Sequence, residues 1–318
     1  MTVQDRIRDA VRSLLREKRV DLVIAHEVGT LPLRATPCFI IDPDDAERII
    51  LDPTCSANLA RFLPNRKDKV ALVAKSCEAR AALVMAAEHQ FPRENLVIVS
   101  APCQGVIDTK RVERHFDGRE ILAAKIEGET IIVQGKEFRD SLPLTQFLCD
   151  SCLECRHPNP VVDPSRDVLV EEGSAVTPSQ ADAAKVIELE KKTADERWSY
   201  FVDQFKDCIG CNACREVCPL CYCKECFADQ TAPRWVGKSV DVSDTMIFHL
   251  VRVLHMAGRC VDCGACSRVC PMNIDVRMLT KKTEKDAREL FAADPGVKEG
   301  EAEALATFSE KDPQEFIM

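Results

Sequence analysis

Two copies of one cysteine pattern constrain this sequence more than any other feature. The first copy runs from Cys208 to Pro219 and the second from Cys260 to Pro271, and both read C-x₂-C-x₂-C-x₃-C-P. Bacterial ferredoxins use this spacing to bind four-iron clusters. Zinc ribbons pair two C-x₂-C knuckles and need neither the third cysteine nor the proline. The sequence therefore predicts two 4Fe–4S clusters, and a zinc-rich structural scaffold is the alternative.

The fourth cysteine of each motif is expected to bind the cluster of the other motif, because the proline turn holds it away from the first three. Small residues such as Gly210 and Gly264 would let the backbone approach the inorganic core. The predicted ligands of cluster one are Cys208, Cys211, Cys214 and Cys270. The predicted ligands of cluster two are Cys260, Cys263, Cys266 and Cys218.

A third cysteine group stands upstream of these motifs. Cys149, Cys152 and Cys155 have cluster spacing but no fourth cysteine close by in the chain. Cys103 follows an apolar run that reads as a strand and precedes a glycine, so its thiol would project from the edge of a sheet. We expect it to complete a third 4Fe–4S cluster, with Cys77 as the second choice.

A C-x-C-x₂-C trio follows the first motif directly: Cys221, Cys223 and Cys226. With Cys55 or Cys77 it would hold a fourth cluster. The same trio would also pack well as small buried side chains beside cluster one. The sequence alone leaves both interpretations open, and it predicts a structural role for Cys38.

Composition limits the compartment and the partners. Eighteen cysteines in 318 residues would suit a disulfide framework only in an oxidising compartment, and the N-terminus has no signal-peptide core. No apolar run approaches the roughly 20 residues that a membrane helix needs. We therefore expect a cytoplasmic protein without membrane insertion. A net charge of −9 and 5% aromatic residues argue against a nucleic-acid partner.

The first part of the chain alternates short apolar runs with helical patterns. Strands are predicted at residues 20–25, 69–74 and 95–100, with a helix over 77–90. This alternation is typical of a mostly parallel sheet covered by helices. Two β-like stretches within residues 120–135 predict an antiparallel hairpin that joins the main sheet.

We expect four consecutive segments. The 41 residues between the two motifs include a helical stretch over 242–258, which favours an α-helical ferredoxin-like domain rather than a compact strand-rich ferredoxin. The segments are an α/β domain carrying the third cluster site (1–160), a linker and a charged helix (161–200), the two-cluster domain (201–290) and a peripheral tail (291–318).

The chain resembles the coenzyme F420 hydrogenase/dehydrogenase beta subunit family, in particular the formate dehydrogenase beta-like iron–sulfur proteins, from about residue 40 to 280. The stretches that carry this resemblance are LDPTC, VALVAKSCEARA, IVSAPCQGVID, CDSCLEC and REVCPLCYCKECF. The resemblance implies an iron–sulfur subunit of an anaerobic oxidoreductase complex, without catalytic residues of its own. Such a subunit would pass electrons between a dehydrogenase for formate, hydrogen or a similar reductant and a flavoprotein or heterodisulfide-reductase-like partner.

Some members of this family bind FAD and reduce the deazaflavin coenzyme, which implies an alternative role as a catalytic subunit. The sequence has no G-x-G-x-x-G fingerprint. A flavin phosphate would fit best at the strand-to-helix turn of Lys75, Ser76 and Arg80, because a helix N-terminus with flanking cations suits a phosphate. The alternative is that Lys75 and Arg80 are surface charges or neighbours of a cluster.

Overall fold

The computed structural model describes residues 1–171, 173–301 and 304. The first elements are α1 (Val3–Arg16), β1 (Leu22–Val28), β2 (Ala35–Ile40), β3 (Ile49–Ile50), β4 (Val70–Ala74), α2 (Ser76–Ala87), β5 (Leu96–Ser100) and α3 (Thr109–His115). They are followed by β6 (Ile121–Glu127), β7 (Thr130–Gly135), β8 (Arg139–Pro143), α4 (Asp150–Leu153) and β9 (Val168–Leu169). The remaining helices are α5 (Ala184–Glu190), α6 (Ala194–Phe205), α7 (Ala213–Glu216), α8 (Val242–Leu254), α9 (Ala265–Val269) and α10 (Arg277–Phe291).

The main sheet has the strand order β2-β1-β4-β5-β9, with β3 also pairing with β1. The pairs β1–β4, β4–β5 and β5–β9 are parallel, whereas β2 and β3 run antiparallel to β1. Successive side chains of β1 face opposite layers: Leu22 and Ile24 pack in the core that contains α2, and Val23 and Ala25 in the core that contains α1. The predicted α/β region with a mostly parallel sheet is confirmed.

The hairpin of residues 120–135 does not join the main sheet, and that prediction was wrong. Strands β6, β7 and β8 form a separate antiparallel sheet of three strands. The reason is that β2 and β9 already occupy the two edges of the main sheet. The second sheet instead packs Ile131 and Val133 against Val112 and Phe116 of the α3 region, in a small core of its own.

The stretch predicted to be a linker contributes to the α/β region. Strand β9 extends the main sheet beside β5. Just before it, the buried carboxylate of Asp167 accepts hydrogen bonds from the amide of Ile98 (2.9 Å) and from Arg93 (2.8 Å). These contacts tie the segment to the sheet instead of leaving it in solvent.

The single charged helix expected after the linker is two helices, α5 and α6. Thr193 caps α6, because its hydroxyl accepts from the amide of Glu196 while the Glu196 carboxylate accepts from the amide of Thr193. Such a capping box starts a new helix and therefore separates α6 from α5.

The C-terminal region is helical, as predicted. Helices α6, α8 and α10 surround a core that includes Phe205, Met246 and Ile274. Helix α8 ends at Leu254 rather than at residue 258. None of the described helices is both long and apolar enough to cross a membrane.

The beginning of the expected peripheral tail packs against the α/β region. Arg80 of α2 donates to the Asp294 carboxylate (3.1 Å) and to the carbonyl of Pro295 (3.0 Å). Residues 302, 303 and 305–318 of that tail lie outside the described residues. The part of the tail seen here is thus an attachment between the two regions.

Candidate metal centres

The two cysteine motifs share one backbone conformation. Two residues after the first cysteine, Gly210 and Asp262 have φ values of 63° and 55°. Four residues after it, Asn212 and Gly264 have φ values of 57° and 70°. Gly, Asn and Asp are the residues that tolerate this left-handed region best. Each motif therefore makes the same two bends and then enters a short helix, α7 or α9.

These bends direct backbone amides toward sulfur. The amide of Asp262 donates to Cys260 Sγ at 3.4 Å. In the first motif, burial raises the pKa of Cys208, and a hydrogen bond from the amide of Gly210 opposes that rise. Hydrogen bonds to sulfur stabilise the thiolate, which is the form that binds iron.

The structure brings the fourth cysteine of each motif to the other motif. Cys270 interacts electrostatically with Cys208, and Cys218 does so with Cys263 and Cys266. This is the crosswise placement that the sequence predicts. Quartet one denotes Cys208, Cys211, Cys214 and Cys270. Quartet two denotes Cys260, Cys263, Cys266 and Cys218.

Burial keeps many of these thiols protonated in the metal-free chain. It raises the pKa of Cys214 to about 12 and that of Cys266 to about 11, although the nearby charge of Arg252 lowers both. Cluster binding at these sites would therefore release protons. Cys211 is exposed, so quartet one reaches the protein surface.

A third group of thiols lines a cavity of about 40 Å³ where the α/β region meets the helical region. Group three denotes Cys77, Cys103, Cys152 and Cys155, all of which line this cavity. Two amides donate to these sulfurs, Gly105 to Cys103 (3.4 Å) and Val106 to Cys152 (3.2 Å). The donor chemistry suits a cluster, and the small volume means that the side chains would have to change rotamer to admit one.

Cys149 does not line this cavity. It is the residue that precedes α4, and its amide donates to the carbonyl of Val106 (2.8 Å). Its side chain lines a different cavity together with Asp150 and Arg268. The structure thus gathers three of the four predicted ligands of the third cluster, and Cys77, the second choice, stands in the cavity where Cys149 was expected.

The three sets of cysteines follow one another without interruption. Cys214 of quartet one interacts with Cys266 of quartet two. Cys263 of quartet two interacts with Cys77 of group three. The spatial order is therefore quartet one, quartet two, group three. Among the described residues, no three Cys, His, Asp or Glu side chains converge closely enough to bind a single metal ion.

The C-x-C-x₂-C trio lines a groove of about 630 Å³ beside quartet two. A hydrogen bond with Cys218 lowers the pKa of Cys221, against the effect of burial. Cys77 belongs to group three, and Cys55 is enclosed in a turn where the amide of Asp52 donates to its sulfur (3.4 Å). The fourth cluster, formed by the trio with Cys55 or Cys77, stays a prediction. Cys38 packs in the core beside α1.

The residues predicted for a flavin phosphate have partners within the protein. The Lys75 ammonium pairs with Glu78 (2.9 Å), and Ser76 donates to the carbonyl of Asn159 (3.0 Å). Arg80 donates to Asp294 and Pro295 after α10 and to the carbonyl of Val261. All three residues line the group-three cavity, which agrees with the alternative that they are neighbours of a cluster.

Sequence reasoning missed two arginines that lie among these cysteines, Arg252 of α8 and Arg268 of α9. Arg252 is 2% exposed. A charged residue inside the apolar run IFHLVRVL was the signal that could have drawn attention to it.

Comparison with known proteins bears on this arrangement. Residues 204–274 match the family model described as a 4Fe-4S dicluster domain, so this part of the chain is an iron–sulfur domain. The F420-dependent formate dehydrogenase subunit beta of Methanocaldococcus jannaschii is 24% identical over 345 residues, which cover 89% of this chain and 89% of that protein. The F420-dependent formate dehydrogenase 1 subunit beta of Methanococcus maripaludis is 24% identical over 357 residues, which cover 92% and 90%.

These two relatives confirm the resemblance to the coenzyme F420 hydrogenase/dehydrogenase beta subunit family. The similarity to these two beta subunits extends over both the α/β region and the iron–sulfur domain. Among solved structures, a chain of the F420-reducing NiFe hydrogenase complex from Methanosarcina barkeri aligns with a TM-score of 0.37 and 15% identity. That alignment covers 47% of this chain and 57% of the solved chain.

Proposed function

We propose that this protein is the electron-transfer subunit of an anaerobic oxidoreductase complex. It would pass single electrons between a dehydrogenase for formate, hydrogen or a similar reductant and a flavoprotein or heterodisulfide-reductase-like partner. The observation that carries this proposal is the unbroken order of three cysteine sets across the molecule. The names of the two beta-subunit relatives support a formate-oxidising partner in particular.

The two quartets and group three would hold three 4Fe–4S clusters, which supply one-electron transfer when bound. The chain contributes the thiolates, the amides that donate to sulfur, and a protein interior that keeps water away from the middle set. The exposed position of Cys211 supports quartet one as the end that meets a partner. Ile209 beside it is 52% exposed and would add apolar contact area there.

The test is the metal content of the anaerobically purified protein. We expect about twelve iron atoms and as much acid-labile sulfide per chain, four for each cluster. Cys263→Ala should remove about four of these irons and leave the circular dichroism of the α/β region intact. Cys38→Ala is the matched control and should keep all of them. Zinc in place of iron, or an unchanged iron content in the Cys263 variant, would refute the proposal.

A second candidate is an FAD-containing subunit that reduces a deazaflavin, and the names of the same relatives favour it. Release of fluorescent flavin at about one per chain on denaturation would support this role. Lys75→Gln should then reduce flavin retention, whereas loss of iron without loss of flavin would count against Lys75 as a phosphate ligand.

A further inference from the structure

Two arginines stand at the two junctions between the cysteine sets. At the first junction, the Arg252 guanidinium donates through Nη2 to the carbonyl of Cys214 (2.9 Å). Its Nε and Nη1 have no hydrogen-bond partner among the described residues, although the side chain is almost completely buried. An unpaired guanidinium is costly to bury, so its position calls for a source of negative charge.

Cysteines of both quartets surround Arg252 and would supply that charge as iron-bound thiolates. Arg252 interacts with Cys214 of quartet one and with Cys218 and Cys266 of quartet two. It therefore lies between quartet one and quartet two.

Arg268 lies at the second junction, between quartet two and group three. Its Nη1 donates to the carbonyl of Cys263 (2.7 Å) and its Nη2 to the carbonyl of Ser56 (2.8 Å). Its Nε has no partner in the described part of the chain. Its side chain interacts with Cys263 of quartet two, with Cys152 and Cys77 of group three, and with Cys149. It therefore faces quartet two on one side and group three on the other.

Three other cations near the cysteines are paired with carboxylates, whereas Lys110 donates to the carbonyl of Cys270. Lys75 pairs with Glu78, Arg80 with Asp294, and Lys281 with Asp262 and Glu284. Arg252 and Arg268 have no carboxylate partner in the described part of the chain: they donate to backbone carbonyls, and Arg252 also interacts with the Cys221 side chain. Their positive charge is consequently available to the cysteine sets.

We propose that Arg252 and Arg268 are junction cations, each of which raises the reduction potentials of the two clusters that flank it. This inference rests on the proposed function, because it requires three clusters. Adding an electron makes a thiolate-bound cluster more negative, so a fixed cation nearby stabilises the reduced state. A cation that lies between two clusters raises the reduction potentials of both. The two arginines would do this at the two junctions along the order quartet one, quartet two, group three.

The experiment is a redox titration of the whole protein, followed by electron paramagnetic resonance, for wild type, Arg252→Gln and Arg268→Gln. Each variant should lower two of the three midpoint potentials and leave the third unchanged. One potential, that of the middle cluster, should fall in both variants. Arg61→Gln is the matched control, because Arg61 lines the neighbouring groove and lies within 3.6 Å of the Glu216 carboxylate, and it should shift none.

The variants Arg252→Lys and Arg268→Lys distinguish an effect of the positive charge from an effect on folding. They retain the positive charge, so their potentials should stay close to those of wild type. Potentials that fall as far in the lysine variants as in the glutamine variants, a uniform shift of all three signals, or no shift would overturn the proposal. If the glutamine variants lose iron, the lysine variants decide the outcome. Wild-type iron content and potentials in the lysine variants would support the proposal, and loss of iron in them as well would refute it. A wild-type protein with far fewer than twelve irons would instead count against the three-cluster function.

Discussion

The left-handed positions of the two motifs show how single residues shape the cysteine sets. Gly264, in the second motif, has little room for a side chain, since an added Cβ would lie 2.4 Å from Ser151 Oγ. At Gly210, in the first motif, an added Cβ would meet nothing within 4 Å. The two glycines share a backbone conformation and differ only in the space around them.

Alanine at these two positions should therefore have unequal effects. Gly210→Ala should cost about 1 kcal/mol, the penalty for a Cβ in the left-handed region. Gly264→Ala adds overpacking against α4 and should cost about 3 kcal/mol in total. Urea unfolding of both variants checks this, and equal losses would contradict it. Only the Gly264 variant should also lose iron from group three, because α4 carries Cys152.

The identity of the fourth thiol in group three is open to a direct comparison. Cys77→Ala should lower the iron content by about four atoms per chain, as expected for one lost 4Fe–4S cluster. Cys149→Ala should keep the wild-type iron content, since Cys149 lines a different cavity. Iron analysis after anaerobic purification decides between them, and the opposite result would restore Cys149 as the ligand.

His26 of β1 makes stability depend on pH. It is fully buried, and burial together with the charge of Lys75 lowers its pKa from 6.5 to about 2. Between pH 6.5 and pH 2, His26 is therefore protonated in the unfolded chain and neutral in the folded chain. The free energy of unfolding consequently decreases as the pH falls below 6.5. From pH 7 to pH 5 the His26 contribution should decrease by about 2 kcal/mol.

The matched variants are His26→Leu and His89→Asn. Urea midpoints of the wild type and of the exposed His89 variant should decrease together between pH 7 and pH 5. The His26→Leu midpoint should decrease less over the same interval. Three parallel decreases would rule out His26 as the titrating group.

At the scale of elements, sequence reasoning succeeded where a single segment fixes the outcome. Strand β4 is buried along its whole length and reads VALVA, so its burial on both faces is visible in the sequence. The positions of β4, β5 and α2 were predicted for this reason. The two bends of each cysteine motif are likewise local, and the assignment of the quartets as cluster ligands stays a prediction from the motif spacing.

Sequence reasoning failed where distant segments compete. The hairpin was assigned to the main sheet because the sequence did not reveal the two edge strands. Strand β2 contains Pro37, and β9 has only two residues, so neither was recognised as a strand. Cys149 was assigned to the third cluster because it shares a regular spacing with Cys152 and Cys155, and Cys77 was only the second choice to Cys103 as the fourth ligand. Cys149 precedes α4 and Cys152 lies within it, so the two cysteines line different cavities, which the spacing does not reveal.

At the scale of the whole molecule, the segment after α10 attaches the helical region to the α/β region. The Asp294 carboxylate receives bonds from Arg80 (3.1 Å), Arg156 (2.8 Å) and His157 (2.9 Å). Burial raises the pKa of Asp294, but these partners lower it to about 2 overall. The ionised carboxylate is therefore the form that holds the attachment.

Removing this charge should loosen the attachment. Asp294→Asn should lower the free energy of unfolding by about 2 kcal/mol at pH 7, because it leaves buried donors with a weaker acceptor. The difference from wild type should shrink as the pH falls from about 4 toward 2, where the wild-type carboxylate itself becomes protonated. Asp286→Asn, which removes a more exposed pair with Lys282, is the control and should change urea midpoints little.

The walls of the group-three cavity come from segments far apart in the sequence, from Lys75 in the α/β region to Glu284 in the last helix. During synthesis the group-three cavity cannot form until α10 has been made and has packed against the α/β region. Each quartet, in contrast, draws its thiols from residues 208–270 alone. Clusters should therefore be inserted in a fixed order, first into quartets one and two and last into the group-three cavity. Insertion of the third cluster would then require that the chain has folded through α10.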